Sequence, residues 1–313
     1  MQPPSSDPGR AGRQIDEAAV AAALRRLARA PEPPWLHAEV ARRMAERLSL
    51  IRLKPSVVVD WWAHAGASAA VLEAAYPQAR RLIVEPDAVL RERSRADARR
   101  PWWTALRGGR RGQAEVLDGE PAAASAQLVW SNMTLHAAGD PPATFALWQR
   151  TLAEGGFAMF SCLGPDTARE LRAVYRERGW GPMGVDFVDM HDLGDMMVRA
   201  GFADPVMDQE QLTLTWPDPQ AALAELRGLG ANASPRRLPG LRTPRWLDEL
   251  QGALRARAAT TGDGRIALTF EIVYGHAFKA PPRPARPAET TVSLDRMREL
   301  ARSPRGAPDG GRN

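Results

Sequence analysis

The 313 residues predict an α/β fold, a mostly parallel sheet covered by helices on both faces, and three observations carry that expectation. Short β-branched runs alternate with segments whose apolar residues recur at three- and four-residue spacing. Two early runs end in an acid, Ser56-Val-Val-Val-Asp60 and Arg81-Leu-Ile-Val-Glu85, and a glycine-containing turn follows the first. That order is the plan of a nucleotide-binding βαβ unit. An apolar share of 44% suits an ordinary globular core.

In chain order, Ile15 to Arg29 and Trp35 to Leu50 read as amphipathic helices separated by the Pro31-Glu-Pro-Pro breaker. After the strand at Ser56 to Asp60, the pattern from Ala67 to Ala75 is helical. The strand Arg81 to Glu85 is followed by a helix from Asp87 to Arg99, with Asp87 placed to cap it. Gln113 to Leu117 and Gln127 to Asn132 are expected strands, Pro141 to Ala153 a helix, and Gly156 to Cys162 a fifth strand. Thr167-Ala-Arg-Glu170 has the form of a capping box opening a helix to Arg178. Later elements are helices at His191 to Ala200, Asp218 to Leu229 and Pro244 to Arg257, with strands at Gln211 to Trp216 and Ile266 to Phe278. Beyond Lys279 the chain turns Pro- and Arg-rich, with one short helix expected at Leu294 to Ala301. The expected division is a disordered stretch 1–14, a folded domain 15–279 and a mostly disordered tail 280–313. Within the domain, 15–50 forms a helical cap, 56–178 a ligand-binding core and 179–279 a half with substrate-side insertions.

Composition excludes several classes. The apolar runs are far shorter than the roughly 20 residues of a membrane span, and no signal-peptide pattern follows Met1, so a cytoplasmic protein is expected. The single Cys162 forms no intramolecular disulfide and reads as a small buried strand residue, and five scattered histidines give no metal-ligand spacing. The net charge of +5 sits in the tails. Residues 279–313 hold eight Lys/Arg against four acids, and residues 1–13 hold two Arg against one Asp. The region between is neutral, which argues against a nucleic-acid surface on the domain.

Leu128-Val-Trp-Ser-Asn132 before a helix, then Leu152-Ala-Glu-Gly-Gly-Phe-Ala-Met-Phe-Ser161, resemble the later strands of S-adenosylmethionine-dependent methyltransferases. Cys162-Leu-Gly-Pro-Asp-Thr-Ala-Arg-Glu-Leu171, Phe187-Val-Asp-Met-His-Asp-Leu-Gly-Asp195, Leu226-Arg-Gly-Leu-Gly-Ala-Asn232 and Leu268-Thr-Phe270 narrow the resemblance to the malonyl-acyl carrier protein O-methyltransferases of biotin synthesis. It runs from about residue 15 to 279 and is strongest in the second half. The resemblance implies a Rossmann-like class I sheet, mostly parallel with an antiparallel last strand, under an N-terminal helical cap. It implies S-adenosylmethionine as cofactor and a malonyl-loaded acyl carrier protein as partner. From charge alone, arginines around Arg169 to Arg178 or Arg236 to Arg245 are expected to steer that acidic protein.

By the same resemblance the cofactor-binding residues are Asp60, Trp62, His64, Gly66, Glu85, Glu115 and Asn132, with Glu85 on the ribose hydroxyls and Glu115 or Asp118 near the adenine. The family's D-x-G-x-G-x-G motif stands here as Asp60-Trp-Trp-Ala-His-Ala-Gly66, keeping the acid and the last glycine. Two outcomes stay open at this point. Trp62 and His64 turn away and leave the cofactor room, or they fill its place in a chain that keeps the fold to bind a carrier protein. The family's tyrosine in the cap helices is absent, with Ala30 or Trp35 in that region, and Pro101-Trp-Trp103 with Arg107 to Arg111 reads as an inserted surface loop. The group that positions the acceptor carboxylate is not assigned; Arg172 and Arg199 lie in regions that cover the pocket in such folds.

Overall fold

The structure, a computed structural model, describes residues 14–98, 113–240, 242–258, 264–280 and 295. The N-terminal stretch 1–13, the insertion around Pro101 to Arg111 and, Asp295 apart, the tail with its expected helix lie outside the described residues.

Two cap helices come first, α1 (Glu17–Arg29) and α2 (Trp35–Arg47). Asp16 caps α1 by accepting from the Ala19 N–H at 3.0 Å, and Leu24, Leu27 and Ala28 bury one stripe of it. The core then alternates: β1 (Val57–Trp61), the single turn α3 (Ala63–Gly66), α4 (Ala69–Ala75), β2 (Arg80–Val84), α5 (Ala88–Ala98), β3 (Ala114–Val116) and β4 (Ala126–Ser131). Asp87 does cap α5, accepting from the Val89 N–H at 2.7 Å. The second half runs α6 (Pro141–Thr151), β5 (Leu152–Leu163), α7 (Arg169–Glu177), α8 (Met190–Arg199), β6 (Phe202–Trp216), α9 (Pro219–Leu229), α10 (Pro244–Ala258) and β7 (Ile266–Lys279).

The seven strands form one sheet in the order β3-β2-β1-β4-β5-β7-β6. The first five are parallel, and β7 runs antiparallel to both β5 and β6. Alternation along each strand divides the core between the two faces of the sheet. Val58, Leu128, Trp130, Phe157 and Met159 pack under α2, α4, α7 and α10. Val59, Val129, Ala158, Phe160 and the buried Cys162 pack with Phe145 and Trp148 of α6 and Leu193 and Met197 of α8. A parallel sheet buried on both faces is the expected architecture. No helix of the described residues is long and apolar enough to cross a membrane.

Three details depart from the sequence expectation. The last sheet-edge strand, expected from Gln211, begins at Phe202 and pairs with β7 on both sides of Asp204 and Pro205. Its first half, with Asp204, Pro205, Asp208, Gln209 and Glu210, is an edge whose polar content hid it, and the register shifts between Ala203 and Val206 where Asp204 takes a φ of 49°. The turn after β1 is helical. The capping box is not formed either: Ala168 precedes α7 at a φ of 53° without a side-chain cap. Thr167 and Glu170 instead serve β7 beyond the last paired residue of β5, Leu163. Thr167 Oγ1 donates to the Glu271 carbonyl and accepts from the Glu271 N–H, while Glu170 accepts from the Thr269 N–H at 3.0 Å and the Thr269 hydroxyl at 2.6 Å. Strand backbone left by one neighbour must find other partners, and that demand outweighs a local cap.

Candidate functional site

A cavity of about 740 Å³ lies at the carboxyl ends of β4 and β5. Met133 and Thr134 follow β4, Leu163 ends β5, and the wall is completed by α1, α7 and the α9–α10 segment inserted between β6 and β7. Ligands of open α/β sheets bind at this rim. The lining is mainly apolar, with Leu24, Leu171, Tyr175, Trp246 and Phe270 among its residues, and Arg26, Arg172, Arg227 and Arg242 supply its guanidinium groups.

Beside the cavity, α3 occupies the loop position after β1. Trp62 begins it in the left-handed region, at φ 55° and ψ 51°, and Ala67 ends it there too, at φ 54° and ψ 32°. Helices α1 and α2 hold this turn down. Trp62 packs against the apolar stripe of α1, where Leu24, Leu27 and Ala28 meet Ala65 and Leu90. His37 Nδ1 donates to the Ala65 carbonyl at 2.6 Å, and His64 Nε2 donates to the Leu27 carbonyl at 3.3 Å. Burial keeps the His37 imidazole neutral, its pKa lowered to about 4, and lowers that of His64 as well.

Glu115 apart, the expected site residues lie in or beside α3. Glu85, just past β2, is buried; its Oε1 accepts from the His64 N–H at 2.9 Å and from the Ser94 hydroxyl at 2.6 Å, and its Oε2 has no hydrogen-bond partner. Asn132 donates to the Gly66 carbonyl at 2.6 Å and the His37 carbonyl at 2.8 Å, and accepts from the Ser161 hydroxyl at 2.7 Å. Gly66 is held to glycine by that approach: a Cβ there would stand 2.9 Å from Ser68 Oγ and 3.1 Å from the Asn132 carbonyl oxygen. Asp60 is fully buried, with neither oxygen hydrogen-bonded and the Arg81 guanidinium 3.9 Å away. Burial raises its pKa to about 6 against the pull of Arg81, and burial raises Glu85 to about 7 despite its hydrogen bonds.

Glu115 stands within β3, half exposed and paired with Arg80 at the start of β2, whereas Asp118 lies past β3 and pairs with Arg95. Of the seven residues only Trp62 lines the cavity. Arg199 is exposed on α8, 3.6 Å from Asp195, and does not line it. Trp35 is exposed, and Ala30 closes α1. Sequence reasoning missed His37 and Ser94. Both replace an apolar residue on the buried stripe of a helix, and that substitution was the available signal.

The ribose of S-adenosylmethionine has one free acceptor on the Glu85 carboxylate, Oε2, which is buried and without a hydrogen-bond partner. The carboxylate expected to bind it caps α3 and holds Ser94, and the cavity does not reach Glu85. Glu85 Oε2 and both Asp60 oxygens remain the unsatisfied buried acceptors of the region.

The sheet order and the roofed cavity at its carboxyl rim define a class I, Rossmann-like methyltransferase fold. A candidate methyltransferase of Bacillus halodurans C-125 superposes with a TM-score of 0.53 at 14% identity, over 77% of this chain and 100% of that one. The YcgJ protein of Bacillus subtilis gives 0.51 at 13%, over 78% and 99%. At such identity these likenesses concern the fold alone. No family model matches the sequence. Curated relatives are far nearer: the malonyl-[acyl-carrier protein] O-methyltransferase of Gallionella capsiferriformans (strain ES-2) is 39% identical over 260 residues, 79% of this chain and 85% of the relative. That of Laribacter hongkongensis (strain HLHK9) is 39% identical over 258 residues, 80% and 85%, and enzyme 1 of Coxiella burnetii is 32% identical over 300 residues, 91% and 96%. The chain belongs to the malonyl-[acyl-carrier protein] O-methyltransferase family.

Proposed function

We propose that this chain methylates the free carboxylate of a malonyl group carried by acyl carrier protein, with S-adenosylmethionine as methyl donor, as a cytoplasmic step of biotin synthesis. The observation that carries the proposal is the cavity: an apolar chamber at the rim where this fold binds its ligands, edged by arginines, in a chain 39% identical to enzymes of that name. An acyl carboxylate is ionised near neutral pH, so it needs no general base. What the chain must supply is alignment, exclusion of water and a positive group for the acid. The apolar walls from α1, α7 and α10 serve the first two.

Glu85 Oε2 is the free acceptor for the ribose of the donor, while Oε1 holds the His64 N–H and the Ser94 hydroxyl. Titration with S-adenosylmethionine by calorimetry, followed by amide exchange, tests this directly. Saturable binding with altered exchange at His64 is the expected result, and labelled methyl should then appear as an ester on malonyl-loaded carrier protein. The grip of α3 on Glu85 favours one second reading, a carrier-protein binder without catalysis. Absence of binding at millimolar donor, with malonyl-carrier protein still bound, would establish that reading and sink the first.

A further inference from the structure

Helix α7 presents its cavity face through a stripe at i, i+3, i+4 and i+7: Ala168, which precedes its first residue, then Leu171, Arg172 and Tyr175 all line the chamber. Ala168, Leu171 and Tyr175 are buried, as that spacing requires. Arg172 is the exception in kind. An ordinary helix would place an apolar side chain there, and the residue is neither fully exposed nor neutralised.

Its surroundings fix the guanidinium without cancelling its charge. Nε donates to the Thr167 carbonyl at 3.0 Å and Nη2 to the Val185 carbonyl at 3.1 Å, so the plane of the group is set by two backbone oxygens. The Phe187 ring lies 5.1 Å from the guanidinium carbon. No carboxylate of the described residues comes within salt-bridge distance of it; Asp186 acts on it from further away and itself stands 3.6 Å from Arg236. A guanidinium has five N–H donors, of which carbonyls take two here. The other cavity arginines differ. Arg26, Arg227 and Arg242 are more exposed; Arg26 donates to the Gly230 carbonyl at 2.7 Å, and Arg242 lies 4.9 Å from the Trp246 ring.

We propose that Arg172 is the carboxylate-binding group of the cavity, and that it selects short dicarboxylic acyl thioesters over neutral acyl groups of the same shape. The proposal rests on the acceptor role assigned to the cavity above. A partly desolvated guanidinium, already aimed by two carbonyls, pairs with a carboxylate at little ordering cost. Methyl transfer would erase the charge that Arg172 reads. The neutral ester is then held less tightly than the substrate, which helps product leave.

The test compares three pantetheine thioesters by calorimetry: malonyl, its isostere 3-methylbutanoyl, and the malonyl monomethyl ester. Wild-type chain is expected to bind malonyl roughly 10- to 100-fold more tightly than either neutral compound, the range of a charged hydrogen-bonded contact. Arg172→Met should lose that preference while keeping its affinity for 3-methylbutanoyl, which also verifies that the variant is folded, and Arg172→Lys should keep part of it. Equal wild-type affinity for all three would overturn the carboxylate site but leave the cavity an acyl pocket. Wild-type binding of none would overturn the acceptor role itself, and the site with it. A malonyl preference that survives in Arg172→Met would place the carboxylate elsewhere.

Discussion

At the scale of single residues, the conformations around α3 give the sharpest expectations. Ala67 sits in the left-handed region, where a Cβ costs roughly 1–2 kcal/mol, and it is a helix-ending position that glycine suits. Ala67→Gly is therefore expected to stabilise the chain by about 1 kcal/mol, less the extra chain entropy of glycine when unfolded. A thermal melt should shift upward by about 2 °C, and a lower midpoint would contradict the conformation. Glu85 gives a pH signature. Burial raises its folded pKa from 4.5 to about 7, so between those values the folded state holds more proton than the unfolded one. Its contribution is complete below about pH 4.5 and is lost as pH rises through 7. Asp60, raised to about 6, acts in the same direction. Glu85→Gln keeps an oxygen for the His64 N–H and the Ser94 hydroxyl and carries no charge. It should melt higher than wild type at pH 8, with the gap closing toward pH 5, and a gap independent of pH would refute the assignment. The positions of Asp60 and Glu85 at strand ends were legible because period-two patterning and β-branched runs mark where strands stop. Their partners were not, since nothing in the Trp62 to Gly66 segment announces that a helical turn would direct its amides at Glu85.

At the scale of elements, helices were more legible than edges. Asp16, Asp87, Asp140, Asp189 and Asp218 each accept from a backbone N–H in the first turn of a helix, and of these Asp87 was legible as a cap from residue type. Strand β6 and the start of α7 were decided by long-range demands instead. Sequence spacing alone makes Thr167 and Glu170 a cap, but only the paired length of β5 shows that Thr269 and Glu271 need side-chain partners. The two kinds of contact have different consequences on substitution. Asp140→Ala removes a cap at a solvent-exposed helix start and should cost about 1 kcal/mol. Glu170→Ala strands the Thr269 N–H, in a residue only 4% exposed, and should cost about 1–3 kcal/mol. Denaturant titration of the two variants checks the order, and a smaller loss for Glu170→Ala would mean that water replaces the carboxylate. The same contrast explains Arg172. The sequence showed an arginine on a helix but not that Ala168, Leu171 and Tyr175 share its face of a cavity.

At the scale of the whole molecule, the proposed function raises the question of where positive charge would meet an acidic carrier protein. Formal charge points to the tail, because residues 279–313 carry eight basic groups against four acids. The structure points elsewhere, to Arg227 and Arg242, which are exposed and belong to the cavity wall where a carrier-borne acyl group would enter. Arg236 and Arg245, the bounds of the steering region expected from charge, stand near Asp186 and Glu249 and are partly offset. Charge that is local to the entrance orients the encounter, whereas charge on a tail raises attraction without direction. Reversing both groups, in Arg227→Glu with Arg242→Glu, is expected to slow association with malonyl-loaded carrier protein roughly tenfold at low ionic strength and much less at ~0.5 M salt, where the Debye length falls below about 5 Å. Dissociation should change less, because exposed rim contacts contribute mainly to capture. A chain ending at Ala280 retains all of β7, whose last residue is Lys279, and should lose less association rate than the rim variant. Stopped-flow association of the three proteins decides the matter. A larger loss in the truncated chain would move the docking function from the cavity rim to the tail.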